Sequence, residues 1–144
     1  MVEVAVSYSS GEHPVSKKTV GRVVSIVFKE ECIPVGNISC VFVGDRAIKK
    51  INTAYLGHRF STDVITFLIE TQPSLEAEIY INMKQARRQA RLYKVSLKNE
   101  LTRLVIHGVL HALGYDDTRT KQRKKMFDLQ EKYVALCTRR GSAI

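Results

Sequence analysis

Val2, Val4, Val6 and Tyr8 alternate with Glu3, Ala5 and Ser7, the two-residue period of a strand with one buried face, so a first strand is predicted over residues 2–8. Gly11 and Pro14 punctuate the segment that follows. The period then lengthens to that of a helix: Val20, Val23, Val24, Val27 and Phe28 share one side, Ser16 is placed to cap it, and it ends near Glu31. Over residues 37–44, Ile38, Cys40 and Phe42 alternate with Ser39, Val41 and Val43, leaving both faces fairly apolar, as expected of a central strand. Asp45 is placed to cap a helix reaching about Leu56, with Ala47, Ile48, Ile51 and Tyr55 on its apolar face. A loop over 57–61 leads into TDVITFLI, a strand rich in β-branched residues, and Pro73 marks the turn before a strand over 77–81. Residues 83–93 predict a basic helix, and 97–113 a buried one that Gly114 ends by taking positive φ. Beyond Thr118 an amphipathic helix sets Met126, Phe127, Leu129, Tyr133, Val134 and Leu136 against the body.

The order βαβαββααα makes the fold class α+β: one domain, with a mixed sheet of about four strands packed with about five helices. Its 144 residues suffice for one substantial core. The domain is expected over 1–140, with 141–144 a tail. Charged residues interrupt every apolar stretch well short of the ~18 residues of a membrane span, and MVEVAVSYSS lacks the basic start and apolar run of a signal peptide. No membrane partner is expected, and the predicted location is the cytoplasm.

Candidate chemistry concentrates in LTRLVIHGVLHALGYDD. His107 and His111 lie four apart, so a helix puts both imidazoles on one face, and the turn at Gly114 returns Asp117 towards them. A histidine on an apolar helix face is ordinarily a core residue with a satisfied ring nitrogen. Two at this spacing each need a partner in an apolar stretch, and one ion serves both. Two neutral imidazoles and a carboxylate suit zinc and leave a fourth position open, the mark of a catalytic rather than a structural site. Gly108 after His107 excludes the HExxH motif, whose glutamate is a protease's general base.

The net charge of +9 comes from 23 basic against 14 acidic residues. Between 84 and 103 the basic side chains are Lys84, Arg87, Arg88, Arg91, Lys94, Lys98 and Arg103, and Arg119, Lys121, Arg123, Lys124 and Lys125 follow the histidine motif. Such runs are commonly solvated helix faces. Flanking a metal site, they favour a polyanion such as nucleic acid. Cys32, Cys40 and Cys137 are widely spaced, form no CxxC pair, and are expected to be buried reduced thiols.

HGVLHALGYDD resembles the signature of the YbeY family, metal-dependent endoribonucleases specific for single strands. Its HGxLHxLGYD core is matched by His107, Gly108, Leu110, His111, Leu113, Gly114, Tyr115 and Asp116. INTAYLGHRFSTDVITF is similar to that family's LNxxYRGKDxPTDVLSF, and LEAEIYIN to its LLGDIxI strand, so the resemblance spans roughly residues 40–135. Two positions depart. Asp117 stands where the family usually has a third metal-binding histidine, which makes bound water less acidic and lets manganese or magnesium compete with zinc. Leu56 stands where the family has an arginine implicated in its catalytic cleft; Arg59 is a candidate replacement and His58 an alternative. Thr62 and Asp63 match the family's TD, in substrate contact or in capping a turn.

The resemblance implies cleavage of single-stranded RNA during ribosomal RNA maturation, at the 3′ end of the small-subunit rRNA, and in ribosome quality control. Precursor rRNA or the small ribosomal subunit would be the partners, with ribosome-associated proteins. His107, His111 and Asp117 would hold the ion, and His58, Arg59, Arg87, Arg88 and Arg91 the RNA backbone. Arg59 and Asp116 are the catalytic candidates, Asp116 either as general base or as a brace for the turn. Water and the 2′-hydroxyl both remain open as nucleophile. Two other classes compete: an RNA-binding ribosome-assembly factor whose metal is structural, and a small metal-dependent peptide or amide hydrolase, against which the missing glutamate and the positive charge argue.

Overall fold

The computed structural model describes residues 1–9, 12–57 and 62–139. Their elements follow the predicted order: β1 (Val2–Tyr8), α1 (Lys17–Glu30), β2 (Gly36–Val43), α2 (Asp45–Leu56), β3 (Val64–Glu70), β4 (Leu75–Asn82), α3 (Met83–Tyr93), α4 (Leu97–Ala112) and α5 (Thr120–Arg139). The residues read as a tail, 141–144, lie outside the described part.

The strands form one mixed sheet ordered β1-β2-β4-β3. β2 runs parallel to β1 and β4, and β3 antiparallel to β4. β2 is thus interior, and its two apolar faces are both used. Ile38, Cys40 and Phe42 join Ile79 and Ile81 of β4 in the main core, with α1, α4 and α5. Val43 meets Ile48 and Ile65 in a smaller cluster under α2, beside Val41, Phe67 and Tyr80.

Helix α4 lies against the sheet at Gly108. A Cβ there would sit 2.5 Å from Cγ2 of Ile79, and the Gly108 carbonyl accepts a hydrogen bond from Thr66 Oγ1 at 3.0 Å. The glycine therefore sets how closely the ligand helix approaches β3 and β4. Ser96 caps α4 by accepting from Asn99 N (3.0 Å), and Gly114 leaves it with φ 100°.

Four local expectations are corrected. Gly44, extended at φ −101°, is the N-cap of α2, and Asp45 is its first helical residue, with its carboxylate turned to Asn82 and Arg88 instead of to the helix's own amides. Cys32 is exposed, because the chain leaves α1 there in a left-handed conformation (φ 60°), whereas Cys40 and Cys137 are buried; among the described residues none of the three forms a disulfide. Tyr55 stays largely exposed, touching Phe67 edge-on at 5.7 Å between centroids. Phe127 also faces outward, since Met126, Gln130, Tyr133, Val134 and Cys137 form the buried side of α5.

Candidate metal centre

His107 and His111 occupy the last two turns of α4, the end at which the helix dipole favours a positive charge. Their Nε2 atoms are 3.0 Å apart, and Asp117 Oδ2 lies 3.5 Å from the first and 3.4 Å from the second. Four ligands around zinc at bonds of 2.0–2.1 Å are separated by about 3.3–3.4 Å, so this triangle has nearly the dimensions of one face of a zinc tetrahedron.

The hydrogen bonds behind the rings explain why these atoms converge. Gln130 Nε2 donates to Glu131 Oε2 (3.1 Å), which turns its Oε1 towards His107, and the ring accordingly donates from Nδ1 at 2.7 Å. His111 donates from Nδ1 to the Tyr115 carbonyl at 3.2 Å. With both Nδ1 atoms serving as donors, each neutral ring presents its Nε2 lone pair, and a carboxylate oxygen joins them. Three electron-rich atoms this close repel one another unless a positive charge lies between them, and the donor set fits a divalent ion. His107, His111 and Asp117 form one group able to hold a metal.

Asp116 faces the other way. Its Oδ1 accepts from Thr118 N (2.9 Å) and its Oδ2 from Thr118 Oγ1 (2.8 Å). The Thr118 amide, then its hydroxyl, hold the carboxyl below its ordinary range, which makes it a weaker base. Of its two expected roles, this geometry serves the brace.

The support extends through three helices. Arg103 contacts Glu131 (2.8 Å) and buried Glu100 (3.0 Å), and Gln89 Nε2 donates to Glu100 at 2.7 Å, linking α3, α4 and α5. Burial pushes Glu131 up, but hydrogen bonds from Arg103 and Gln130 outweigh it and leave the carboxyl below its ordinary value. On the other side of the ligand loop, Tyr115 Oη donates to Glu31 Oε1 at 2.7 Å, and Tyr133 Oη donates to Glu31 Oε2. The bond to Glu31 chiefly pushes the Tyr115 phenol up to about 12.

Two hollows open beside the ligands. One, about 470 Å³, is shared by His107 with Asp63, Gln89, Tyr93, Arg103 and Phe127. The other, about 450 Å³, joins His111 to Asn52, Leu56, Thr62 and Leu68. Thr62 and Asp63 thus divide between the two, pinned by Asn82: its Nδ2 donates to the Thr62 carbonyl (3.1 Å) and its backbone N–H to the Asp63 carbonyl (2.8 Å). Leu56, the position of the expected arginine, does line the second hollow. His58 and Arg59 lie outside the described residues.

The three arginines of α3 are not brought to either hollow. Arg87 pairs with Glu12, Arg88 forms a two-pronged contact with Asp45 (2.7 and 3.1 Å), and Arg91 is exposed. Lys121, Lys124 and Lys125, by contrast, line a separate hollow with Lys132 and Tyr115, next to the ligand loop. Sequence reasoning missed Lys132, Glu31 and Gln130. Only Gln130 leaves a clear signal, as an amide on the otherwise apolar side of α5, at helical spacing between Met126 and Tyr133.

The family model described as endoribonuclease YbeY matches residues 6–137 of the chain. The endoribonuclease YbeY of Chloroherpeton thalassium is 35% identical over 119 residues, covering 83% of this chain and 84% of its own. That of Chlorobium limicola is 36% identical over 113 residues, 78% of each chain. Among solved structures, the solution structure of Thermotoga maritima TM1509 superimposes with a TM-score of 0.63 at 25% identity, over 96% of this chain and 89% of that one.

Proposed function

The chain belongs to the endoribonuclease YbeY family, and from that premise we propose that it hydrolyses single-stranded RNA at the His107–His111–Asp117 centre, in ribosomal RNA processing. The observation that carries the reading is the convergence of three candidate ligand atoms, two of them on rings whose Nδ1 hydrogen bonds turn Nε2 towards the Asp117 carboxylate.

Zinc is the ion this donor set suits best, with manganese and magnesium brought into competition by the carboxylate. A divalent ion held there supplies a Lewis acid for a nonbridging phosphate oxygen and lowers the pKa of water. The chain's own residues do the rest. Gln130 and the Tyr115 carbonyl keep both rings in the tautomer that exposes Nε2. Glu100 and Glu131, which share the His107 hollow, are both engaged by Arg103, whereas Asp63 has no hydrogen bond or ion pair to its carboxylate among the described residues. Asp63 is accordingly assigned the role of accepting the nucleophile's proton, with Asp116 bracing the loop. Arg59 is assigned to the scissile phosphate, and the lysines of α5 carry the RNA backbone past Tyr115, with Arg91 a more distant contact. The proposed substrate is precursor rRNA, at the 3′ end of the small-subunit rRNA or on the small ribosomal subunit itself, with ribosome-associated proteins as further partners and a role in ribosome quality control. The domain is assigned to 1–140 and the location to the cytoplasm; among the described residues no helix is long and apolar enough to cross a membrane.

Metal content measured beside cleavage of a labelled single-stranded RNA tests the reading, with wild type, His111→Ala and Asp117→Ala, with and without chelator. Near-stoichiometric metal and chelator-sensitive cleavage, both lost in the variants, is the expected result. Uncut RNA at full metal occupancy would support the second reading, an assembly factor with a structural ion, which the aliphatic Leu56 in the His111 hollow favours.

A further inference from the structure

We propose that Tyr93 and Phe127 form two stacking platforms, one on each lip of the hollow beside His107, that hold unpaired bases next to the scissile phosphate and so select single-stranded RNA. The inference rests on the nuclease reading and names the residues that would recognise its substrate.

The two rings are 60% and 56% exposed, although each is large and apolar, and both line the same hollow as the ligand His107. They stand on different helices, Tyr93 at the end of α3 and Phe127 in the first turns of α5. Neither stacks on another aromatic ring among the described residues. Isolated exposed aromatics are unremarkable on a protein surface; two on opposite sides of a metal-centre cleft are placed to face a ligand.

Each lip is also tied to α4 by side-chain hydrogen bonds. Gln89, one turn before Tyr93, is tied to buried Glu100, and Glu131, one turn after Phe127, is tied to Arg103, so both platforms are referred to α4, the helix that carries His107. The walls between them mix amide and charged side chains with the aliphatic Val95 and Leu104, suited to polar base edges and to the ring that carries them. A planar ring with a polar rim fits such a cleft; its own charges are three carboxylates and Arg103, so the phosphates of an attached backbone would lie outside it, where the chain's +9 charge favours them. Stacking on a side chain requires a base whose face is free. In a duplex both faces are covered by neighbours, so the platforms discriminate by strandedness with little regard to sequence.

Tyr93→Ala, Phe127→Ala, the double variant, and the conservative Tyr93→Phe and Phe127→Tyr test this. Anisotropy of a labelled oligouridylate is read on the metal-free protein, and cleavage on the zinc-loaded protein. A second probe has the same ribose-phosphate backbone without bases, and a third is duplex RNA. Each alanine variant should bind oligouridylate about 5- to 100-fold more weakly, with the slope of affinity against salt unchanged. The conservative variants should bind as wild type does. Wild type should prefer oligouridylate to the abasic probe and to the duplex, and the double variant should lose both preferences while keeping its zinc and its melting temperature. Equal affinity of wild type and the alanine variants for oligouridylate, or of wild type for the probes with and without bases, would overturn the proposal, even if wild type cleaves RNA. If no chain cleaves but the base preference is present and disappears in the double variant, the platforms stand and the nuclease reading falls.

Discussion

Tyr115 and Glu31 are joined by a 2.7 Å hydrogen bond that fastens the ligand loop to the residue following α1, across 84 positions of sequence. Glu31 also receives the hydroxyl of Tyr133, a side chain only 1% exposed. Glu31→Ala should therefore destabilise the fold by about 1–3 kcal/mol, because a buried phenol loses its acceptor. Tyr115→Phe removes only the bond to the loop and should cost about 1 kcal/mol. Denaturant unfolding of the two variants, with zinc affinity from chelator competition, separates the loop's share from the core's. Equal losses would mean that the loop bond carries the whole effect.

Gln130 holds the ring of His107 from Nδ1, on the far side from the candidate ligand atom Nε2. Gln130→Ala should weaken zinc binding about 10- to 100-fold, the usual scale for a residue that orients a ligand imidazole, while the melting temperature of the metal-free protein changes far less. Gln130→Glu keeps an acceptor for Nδ1 and should retain most of the affinity. Zinc binding unaltered in Gln130→Ala would show that the ring needs no such support.

Asp63→Asn should leave zinc content intact and lower kcat by about 100- to 10,000-fold, as loss of a general base does, whereas Asp116→Asn should act mainly through a looser ligand loop. Steady-state cleavage beside metal analysis decides it. Full activity in Asp63→Asn would return the base to another group.

At the helix–sheet contact, Gly108→Ala places a methyl group 2.5 Å from Ile79 Cγ2 and should cost about 1–3 kcal/mol. The residues touch, so the effect should shrink in the double variant with Ile79→Ala relative to the sum of the two single changes. Thermal melts of the four proteins measure this coupling, and strict additivity would argue against the contact.

Glu131 supplies a pH dependence. Its carboxyl titrates below its ordinary value in the folded chain, so the stability it contributes is fully present above the unfolded value of about 4.3 and is lost as the pH falls through the lower folded value. The gap in unfolding free energy between wild type and Glu131→Gln should thus be constant from pH 7 to about 5 and close below about 4. A gap that instead opened on acidification would reverse the sign of this interaction.

Much of this architecture was legible because the burial pattern is regular. The alternation at Val2, Val4 and Val6 and the two apolar faces of residues 37–44 specify strands, and each helix has an apolar stripe of the right period. The convergence of the three candidate ligands was legible for a similar reason, since helical spacing and one glycine turn bring them together. The supports were not. Glu31 meets Tyr115 only because α1, α4 and α5 pack together, and no local pattern encodes that meeting. Phe127 was misplaced because it adjoins Met126 in an apolar stretch, while the helix rotates Gln130 inward in its stead. The α3 arginines were assigned to RNA by charge alone, and sequence does not reveal that Glu12 and Asp45 engage two of them.

Because every ligand falls within residues 107–117, closing the chelate brings together only one short loop. An ion there would join no distant parts of the chain, and the main core, built from the sheet, α1, α4 and α5, contains none of the three candidate ligands. Demetallation should consequently be a local event, reversible in the folded state, unlike that of a small domain whose folding energy is the metal's. On the proposed reading the protein would lose and regain its metal without refolding, and the pool of available metal would govern activity independently of the amount of folded chain.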